Sequence, residues 1–267
     1  MRKPILITFG DGDLRFRRAA RRIVREAQAT NLFDQCLSLD FKWFRDYDET
    51  SFELASGWLR QGQVRGAGYW LWKSLIFKWA AEVFPGRDIQ YLDAGLVIKP
   101  GQDARKVLES WIIEAQDLGG LAFNLPRHLE IEWCKREILE YLDPAKQFWY
   151  TNQIESCFIF LTANRVREFG EEWHKASIFR NGYFLTDALD EPQFEEFIEN
   201  RHDQSIFSLL WKQFGYFYKP AEGDTDRRDQ VIVKPRHLSG FDWNDGRRSW
   251  PMRIEWRLGK IESRLKY

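Results

Sequence analysis

Two short segments in the first hundred residues carry side chains that could bind a phosphate group or a metal ion. Asp93 lies in Tyr91-Leu-Asp-Ala-Gly95, directly after a run with the pattern of a buried strand. Ligands of open α/β sheets bind beyond the carboxyl ends of the strands, and carboxylate oxygens there suit Mg²⁺ or Mn²⁺ bridging a diphosphate. Lys73 ends the second segment, which begins at Arg65. Its ammonium offers a point charge for phosphate or for sugar hydroxyls, and we expect it to be partly exposed.

Two segments in the second half of the chain carry further candidates. Asp203 and Gln204 open an apolar stretch that predicts a helix ending near Phe214, and Asp203 can serve as its N-cap. His237 precedes the glycine turn at Gly240. A lone histidine is more often structural than functional, so His237 gains weight only from its place in a larger pattern.

The order of these segments resembles the signature of GT-A glycosyltransferases of the glycogenin-like and mannosyltransferase-like groups. Segments 65–73, 91–95 and 201–210 more closely resemble a family of bacterial glycosyltransferases associated with polysaccharide gene clusters. The resemblance spans roughly residues 5–240, but only these short blocks are specific. It implies an α/β fold, with one GT-A-type, Rossmann-like domain built on a mixed, mostly parallel sheet flanked by helices.

The resemblance also implies roles for individual residues. Asp203 and Gln204 match the pair beside the transferred sugar, and we assign them as catalytic. The candidates for substrate binding surround the nucleoside and the donor sugar: Thr8, Phe9, Gly10, Asp11, Arg65, Gly68, Tyr69, Trp72, Lys73 and His202. Asp93 matches the first aspartate of the Asp-x-Asp metal motif, and His237 matches the histidine that closes the metal site.

Gly95 departs from the family pattern, because it stands where the second aspartate of Asp-x-Asp is expected. Asp93, His237 and the diphosphate oxygens could still hold Mn²⁺ or Mg²⁺, although more weakly. Without a metal, Lys73 or an arginine must offset the charge that develops on the departing diphosphate. The candidates are Arg65, Arg201 and Arg236.

The first thirty residues predict the element that holds the nucleoside. Residues 4–9 have the composition of a buried parallel strand, Gly10 to Gly12 permit a tight turn, and residues 14–29 show helical periodicity. Phe16 begins the apolar face of that helix. Six arginines are expected on the opposite, exposed face, which is either a solvated surface or a contact with an anionic membrane or substrate: Arg15, Arg17, Arg18, Arg21, Arg22 and Arg25.

The rest of the chain alternates apolar helical patterns with short strand patterns. Strands are predicted at 35–39 and 156–161, and the run 231–233 is β-rich. Helices are predicted at 51–59, 70–83, 102–117, 132–142, 164–175, 192–199 and 203–214. Segment 221–229 is charged and predicts a mobile loop. We expect a single domain over 1–267, with a nucleotide-sugar half at 1–100 and an acceptor half with the C-terminal tail at 101–267.

Composition limits the class of partner. Lysine plus arginine and aspartate plus glutamate number 40 each, so nothing predicts binding to nucleic acid. The three cysteines lack metal-clamp spacing, and no apolar run is long enough for a signal peptide or a membrane span. We therefore expect a cytoplasmic protein, with peripheral contact to the inner membrane face through the arginine helix.

The predicted activity is transfer of a hexose from a nucleoside diphosphate sugar to a hydroxyl of a glycan or a lipid-linked acceptor. A nucleotidyltransferase is one alternative, but the acidic turn at Asp11 to Asp13 is a poor cradle for a triphosphate. A non-catalytic protein that binds carbohydrate or nucleotide on the same fold is the other alternative, which the loss of the second aspartate at Gly95 leaves open.

Overall fold

A mixed β-sheet forms the centre of the protein in a computed structural model that describes residues 2–11, 13–63, 65–219 and 231–233. Its strands are β1 (Ile5–Phe9), β2 (Gln35–Leu39), β3 (Ile89–Leu92), β5 (Gly120–Leu129), β6 (Asn152–Ile154), β7 (Phe158–Leu161) and β8 (Tyr218–Lys219). The order is β2-β1-β3-β7-β5-β6, with β8 paired to β5. Strands β4 (Val97–Ile98) and β9 (Ile232–Val233) form a separate antiparallel ribbon.

Helices connect the strands. They are α1 (Leu14–Thr30), α2 (Phe41–Tyr47), α3 (Glu49–Arg60), α4 (Gly66–Tyr69), α5 (Leu71–Val83), α6 (Gln102–Leu118), α7 (Glu130–Trp133), α8 (Arg136–Leu142), α9 (Ala163–Gly182) and α10 (Asp203–Gln213). The predicted α/β class, a central mixed sheet flanked by helices, is confirmed.

The side chains of β1 separate the two halves of the core. All five residues of β1 are buried, as its apolar, β-branched sequence predicts. Ile5 and Ile7 face a cluster that includes α5, α9 and α10, whereas Leu6 faces a cluster that includes α1 and α6. The sheet is therefore the middle layer between two layers of helices.

The order in which strands are added to the sheet reverses at β1. Strands β2 and β3 pair with β1 on opposite sides, and both pairings are parallel. The connection to β2 runs through α1 on one face, and the connection to β3 runs through α5 on the other face. Such a switch point opens a crevice at the carboxyl ends of the strands, where α/β proteins bind ligands.

Two predicted helices differ from the structure. Segment 192–199 is not helical, because the amides of Ile198 and Glu199 donate to the carbonyl of Glu132 at 2.7 and 3.3 Å. The helix predicted at 132–142 is broken into α7 and α8 by an extended backbone at Cys134, and Lys135 follows it as the N-cap of α8. The Lys135 side chain is buried and donates to the Tyr183 carbonyl at 2.7 Å, a contact that a continuous helix pattern does not reveal.

Helix α1 differs from its predicted surface in two ways. Phe16 is 53% exposed rather than buried, because the buried stripe of α1 begins only at Ala20. Arg17 pairs with Asp11, and Arg22 donates to the carbonyls of Ala94 and Leu96, so these two arginines face inward contacts. The exposed arginine face consists of Arg15, Arg18, Arg21 and Arg25.

None of the helices within the described residues is both long and apolar enough to cross a membrane.

Candidate active site

Aspartates follow the two strands that flank the crevice. Asp11 lies after β1, and its carboxylate accepts hydrogen bonds from the Phe41 amide at 2.9 Å and the Arg17 guanidinium at 2.6 Å. Asp93 lies after β3, and its amide donates to the Cys157 carbonyl at 2.9 Å. The carboxylate of Asp11 and the backbone of Asp93 are therefore held by neighbouring segments at the switch point of the sheet.

The ammonium of Lys73 joins Asp93 to Asp203. Its Nζ lies 2.8 Å from Asp203 Oδ2 and 3.3 Å from Asp93 Oδ1. The Ser156 hydroxyl donates to Asp203 Oδ2 at 2.8 Å, and the Tyr91 hydroxyl donates to Asp93 Oδ1 at 2.6 Å. One cation thus lies between two carboxylates, each of which also accepts a hydrogen bond from a hydroxyl group.

Burial and charge act in opposite directions on Lys73. The expectation of a partly exposed lysine is wrong, because the residue is only 2% exposed. Burial alone would lower the pKa of Lys73, but Asp203 and Asp93 outweigh it and raise that pKa above its ordinary value. Burial, followed by the charge of Asp93, raises the pKa of Tyr91 well above its usual range. Tyr91 therefore stays a hydrogen-bond donor to Asp93 at neutral pH.

Asp203 does not cap α10, contrary to the prediction. His202 occupies the N-cap position with φ 55° and ψ −120°, and its side chain makes no capping bond. Asp203 is the first helical residue, and its carboxylate turns to Lys73 and Ser156 instead of to the α10 amides. If Asp203 is structural rather than catalytic, its structural role is therefore an ion pair with Lys73 and not a helix cap.

A left-handed turn precedes Lys73. Five consecutive residues, 66–70, have positive φ, and the amides of Tyr69 and Trp70 donate four residues back at 2.8 and 3.1 Å. Each residue with a side chain costs about 1–2 kcal/mol in this conformation. Gly68 is required for a second reason, since a Cβ there would lie 2.6 Å from Ala55 Cβ. The turn directs α5 so that Lys73 enters the crevice.

Aromatic contacts connect this turn to the other candidate residues. Trp72 stacks on Phe9 with ring centroids 4.0 Å apart, so the predicted nucleoside segment packs against the lysine segment. Trp72 and Tyr69 are buried, and the Tyr69 hydroxyl donates to Asp187 at 3.0 Å. Arg65 is exposed and pairs with Asp187 at 3.2 Å and with Glu199 at 2.9 Å.

His202 is buried beside the left-handed turn. Its ring lies 5.1 Å from Tyr69 and 5.5 Å from Trp70, and Nδ1 lies 2.7 Å from the Leu185 carbonyl. Burial lowers the pKa of His202, so the ring is neutral at pH 7 and Nδ1 is the protonated nitrogen. Nε2 is buried and forms no hydrogen bond within the described residues.

Thr8 and Gly10 line the end of β1. Thr8 is fully buried, and its hydroxyl oxygen has no hydrogen-bond partner within the described part of the chain. Gly10 packs against α1, where a Cβ would lie 2.5 Å from the Phe16 carbonyl oxygen. A side chain at position 10 would therefore push the first turn of α1 away from β1.

The metal ligands predicted from sequence are only partly within the described residues. His237 lies outside them, as do Arg236 and segment 221–229. Asp93 Oδ1 is occupied by Tyr91 and by the Lys73 ammonium, and Gly95 supplies no carboxylate. Within residues 2–219 and 231–233, as far as they are described, no three His, Cys, Asp or Glu side chains cluster as a metal site would require. These residues alone therefore do not fit a divalent cation.

The structure thus brings Lys73, Asp93 and Asp203 into contact and joins Phe9 to Trp72, whereas the side-chain nitrogen of Gln204 donates to Gln153 Oε1 at 2.7 Å. Sequence reasoning missed Ser156 and Tyr91. Tyr91 precedes Asp93 by two residues, and residues two apart on a strand point to the same face. This spacing predicts that the two side chains lie close together. Ser156 had no local signal beyond its place before a predicted strand.

No protein-family model and no curated protein sequence matches the chain significantly. Its fold is similar to three solved glycosyltransferase structures, each 11% identical in sequence. Mouse xyloside xylosyltransferase 1 has a TM-score of 0.42, with 85% of this chain and 92% of that chain covered. A glycosyltransferase involved in glycosylation of the major capsid of PBCV-1 has a TM-score of 0.46, with 86% and 91% covered.

The third structure is galactosyltransferase LgtC in complex with donor and acceptor sugar analogs, with a TM-score of 0.43 and coverage of 81% and 73%. All three likenesses are too distant to carry an argument about function, which therefore rests on the residues of the site.

Proposed function

We propose that this protein is a glycosyltransferase that moves a hexose from a nucleoside diphosphate sugar to a hydroxyl of a glycan or a lipid-linked acceptor. The observation that carries the proposal is the contact of Lys73 with both Asp93 and Asp203. The three residues belong to the three separate segments that resemble glycosyltransferases. Buried ion pairs add little to stability, so a buried charge cluster in a strand-end crevice is typical of a functional site.

The proposed donor site lies between the two halves of the chain. Residues 1–100 contribute Asp93, Lys73 and the nucleoside segment Thr8 to Asp11, and the second half contributes Asp203. The stacking of Phe9 on Trp72 fixes the nucleoside segment against the lysine segment, which supports a donor that spans both. The acceptor would approach from the side of α10.

The proposed reaction exchanges one bond at the anomeric carbon. The bond to the diphosphate oxygen breaks, and its electron pair leaves with the diphosphate. The acceptor oxygen forms the new bond and passes its proton either to Asp203 or to an oxygen of the departing diphosphate. Asp203 is the carboxylate proposed for this centre, where it either stabilises positive charge at the anomeric carbon or accepts the proton.

Lys73 has a proposed role on the leaving-group side. It already fixes the positions of Asp93 and Asp203, and a bound diphosphate would compete with them for the same ammonium. Arg65 and Arg201 are the other described cations proposed to offset charge on the departing diphosphate. A divalent metal at Asp93 would need His237 and further ligands from residues outside the described part of the chain.

A non-catalytic binding protein is the second candidate, and a specific observation favours it. Lys73 satisfies both carboxylates, and Gly95 replaces the second aspartate of the metal motif. Such a protein would bind sugar nucleotides without consuming them.

A panel of nucleotides and sugar nucleotides, assayed with and without Mn²⁺, separates the candidates. Thermal shift reports binding, and release of nucleoside diphosphate with formation of a glycosylated acceptor reports transfer. Binding without release supports the non-catalytic protein. Release of pyrophosphate from a nucleoside triphosphate and a sugar phosphate identifies a nucleotidyltransferase. A protein that neither binds nor turns over any member contradicts the proposal.

A further inference from the structure

A second buried polar cluster lies behind Gln204. Its centre is Glu130, which is fully buried, and Lys212 Nζ lies 2.5 Å from Glu130 Oε1. The hydroxyl of Ser208 also donates to Glu130 Oε1, and Lys212 donates to Thr151 Oγ1 at 2.9 Å. We call these four residues and Gln153 the Glu130 network. Buried ion pairs are costly to assemble, so a network of this kind calls for a reason beyond stability.

Gln153 links the Glu130 network to Gln204. Gln153 is fully buried, and its Nε2 donates to Glu130 Oε2 at 3.1 Å and to the Trp133 carbonyl at 3.1 Å. Its Oε1 accepts from Gln204 Nε2 at 2.7 Å. The chain of contacts therefore runs from Lys212 through Glu130 and Gln153 to a residue beside Asp203.

Elementary hydrogen-bond chemistry gives this chain a direction. A carboxylate that faces an ammonium accepts hydrogen bonds and cannot donate them, and a backbone carbonyl can only accept. Both partners of the Gln153 nitrogen end are acceptors, so Gln153 must direct its NH₂ group to them and its carbonyl oxygen to Gln204. Gln204 must in turn donate its NH₂ group to Gln153. The orientation of both amides thus follows from their partners.

We propose that Glu130, acting through Gln153, is a positioning residue that turns the carbonyl oxygen of Gln204 toward the bound substrate. Gln204 is half-buried, and its nitrogen faces the interior, so Oε1 is the end left for a ligand. No hydrogen bond to Gln204 Oε1 is formed within the described ranges. The amide then accepts a hydrogen bond from a sugar hydroxyl, whereas the flipped amide would offer it a donor.

The inference rests on the proposed function for the identity of the substrate, but the orientation of the amide can be tested without it. In the protein labelled with ¹⁵N at glutamine side chains, the Gln204 NH₂ protons should exchange slowly because one of them is held by a buried acceptor. Gln204→Met assigns the signal. Gln153→Leu should accelerate exchange at Gln204 at least tenfold. Equal exchange rates in the parent protein and in Gln153→Leu would overturn the proposal that Gln153 orients the Gln204 amide.

A double-mutant cycle tests the effect on turnover. Gln153→Leu should lower kcat about tenfold with little change in the donor KM, since the loss of an oriented hydrogen bond in the transition state is roughly 1.4 kcal/mol. Gln204→Met should lower kcat at least as much. The double variant should be no worse than Gln204→Met alone, because Gln153 acts only through Gln204.

Gln90→Leu is the matched control, since Gln90 is also fully buried but, among the described residues, makes no hydrogen bond to the Glu130 network or Gln204. Its side-chain nitrogen donates to the carbonyls of Tyr91 and Ile159. It should lower the unfolding midpoint without changing kcat below that midpoint. Additive losses in the cycle, or an equal loss of kcat in Gln90→Leu, would show that Gln153 is merely structural. If the parent protein transfers no sugar, the proposed function fails. The exchange experiment alone then decides whether Gln153 orients the Gln204 amide.

Discussion

Replacing Lys73 with methionine tests whether its ammonium is the charge that holds the site together. Methionine keeps most of the length and volume of the side chain but removes the charge. In the folded protein, Asp203 and Asp93 would then face each other without the cation that lies 2.8 and 3.3 Å from them.

The expected cost is large because the lysine is 2% exposed and the Asp203 side chain is 7% exposed. Removal of one partner from a buried ion pair costs about 3–5 kcal/mol, since it leaves an uncompensated buried charge. We therefore expect Lys73→Met to lower both stability and turnover, in contrast to the effect of removing an exposed lysine.

Lys135→Met is the matched control. Lys135 is fully buried, and burial lowers its pKa to about 8, so the surroundings of this lysine disfavour its charge. Its replacement should cost only about 1 kcal/mol, the value of its hydrogen bond to Tyr183. Urea unfolding of both variants at pH 7 measures the contrast. Equal losses in the two variants would show that the charge of Lys73 contributes no more to stability than a single buried hydrogen bond does.

Three further predictions concern residues outside the ion cluster. Burial lowers the pKa of His174 to about 4, so stability should fall by roughly 2 kcal/mol between pH 7 and pH 5, as the unfolded chain gains a proton that the folded protein does not; His174→Leu should flatten this profile in urea unfolding. Gly68→Ala should cost about 2 kcal/mol or more, because φ is +92° and the new Cβ would lie 2.6 Å from Ala55; Gly95→Ala, with no atom within 4 Å, should leave the unfolding midpoint unchanged. The exposed arginine face of α1 should recruit the protein to liposomes with anionic lipid at low salt and release it at high salt; equal recruitment to neutral liposomes would mean that this face is only solvated.

Periodicity in the sequence predicts the long elements well. The alternation of apolar residues gives α1, α5, α6 and α10 within a few residues of their ends, and the apolar run at Ile5 gives β1. Each of these elements buries one continuous stripe or face, so the spacing of apolar residues within the segment itself predicts the element. Segment 192–199 has a similar spacing of apolar residues but is not helical, because the amides of Ile198 and Glu199 donate to the carbonyl of Glu132, which is distant in the sequence.

Sequence order also predicts which polar residues belong to the site, but not how they interact. Lys73, Asp93 and Asp203 are each conspicuous at the end or start of an element, and the structure joins them. That Lys73 is buried between two carboxylates depends on the left-handed turn at 66–70, which no periodicity signals. No local sequence pattern predicts the Glu130 network either, because Glu130 and Lys212 are far apart in the sequence and come together only in the tertiary fold.

The most direct test of the central claim is turnover of sugar nucleotides by the parent protein and by Asp203→Asn. Asparagine keeps the size of the side chain but has no charge to offer the anomeric carbon and cannot act as a base. The variant also weakens the pair with Lys73, so its fold must be verified by thermal unfolding, and rates must be compared well below its midpoint. We predict that the parent releases nucleoside diphosphate from at least one donor and that the variant binds this donor but loses at least a hundredfold in kcat, in line with the usual contribution of a positioned acid or base. Transfer by folded Asp203→Asn at near the parent rate would contradict the account.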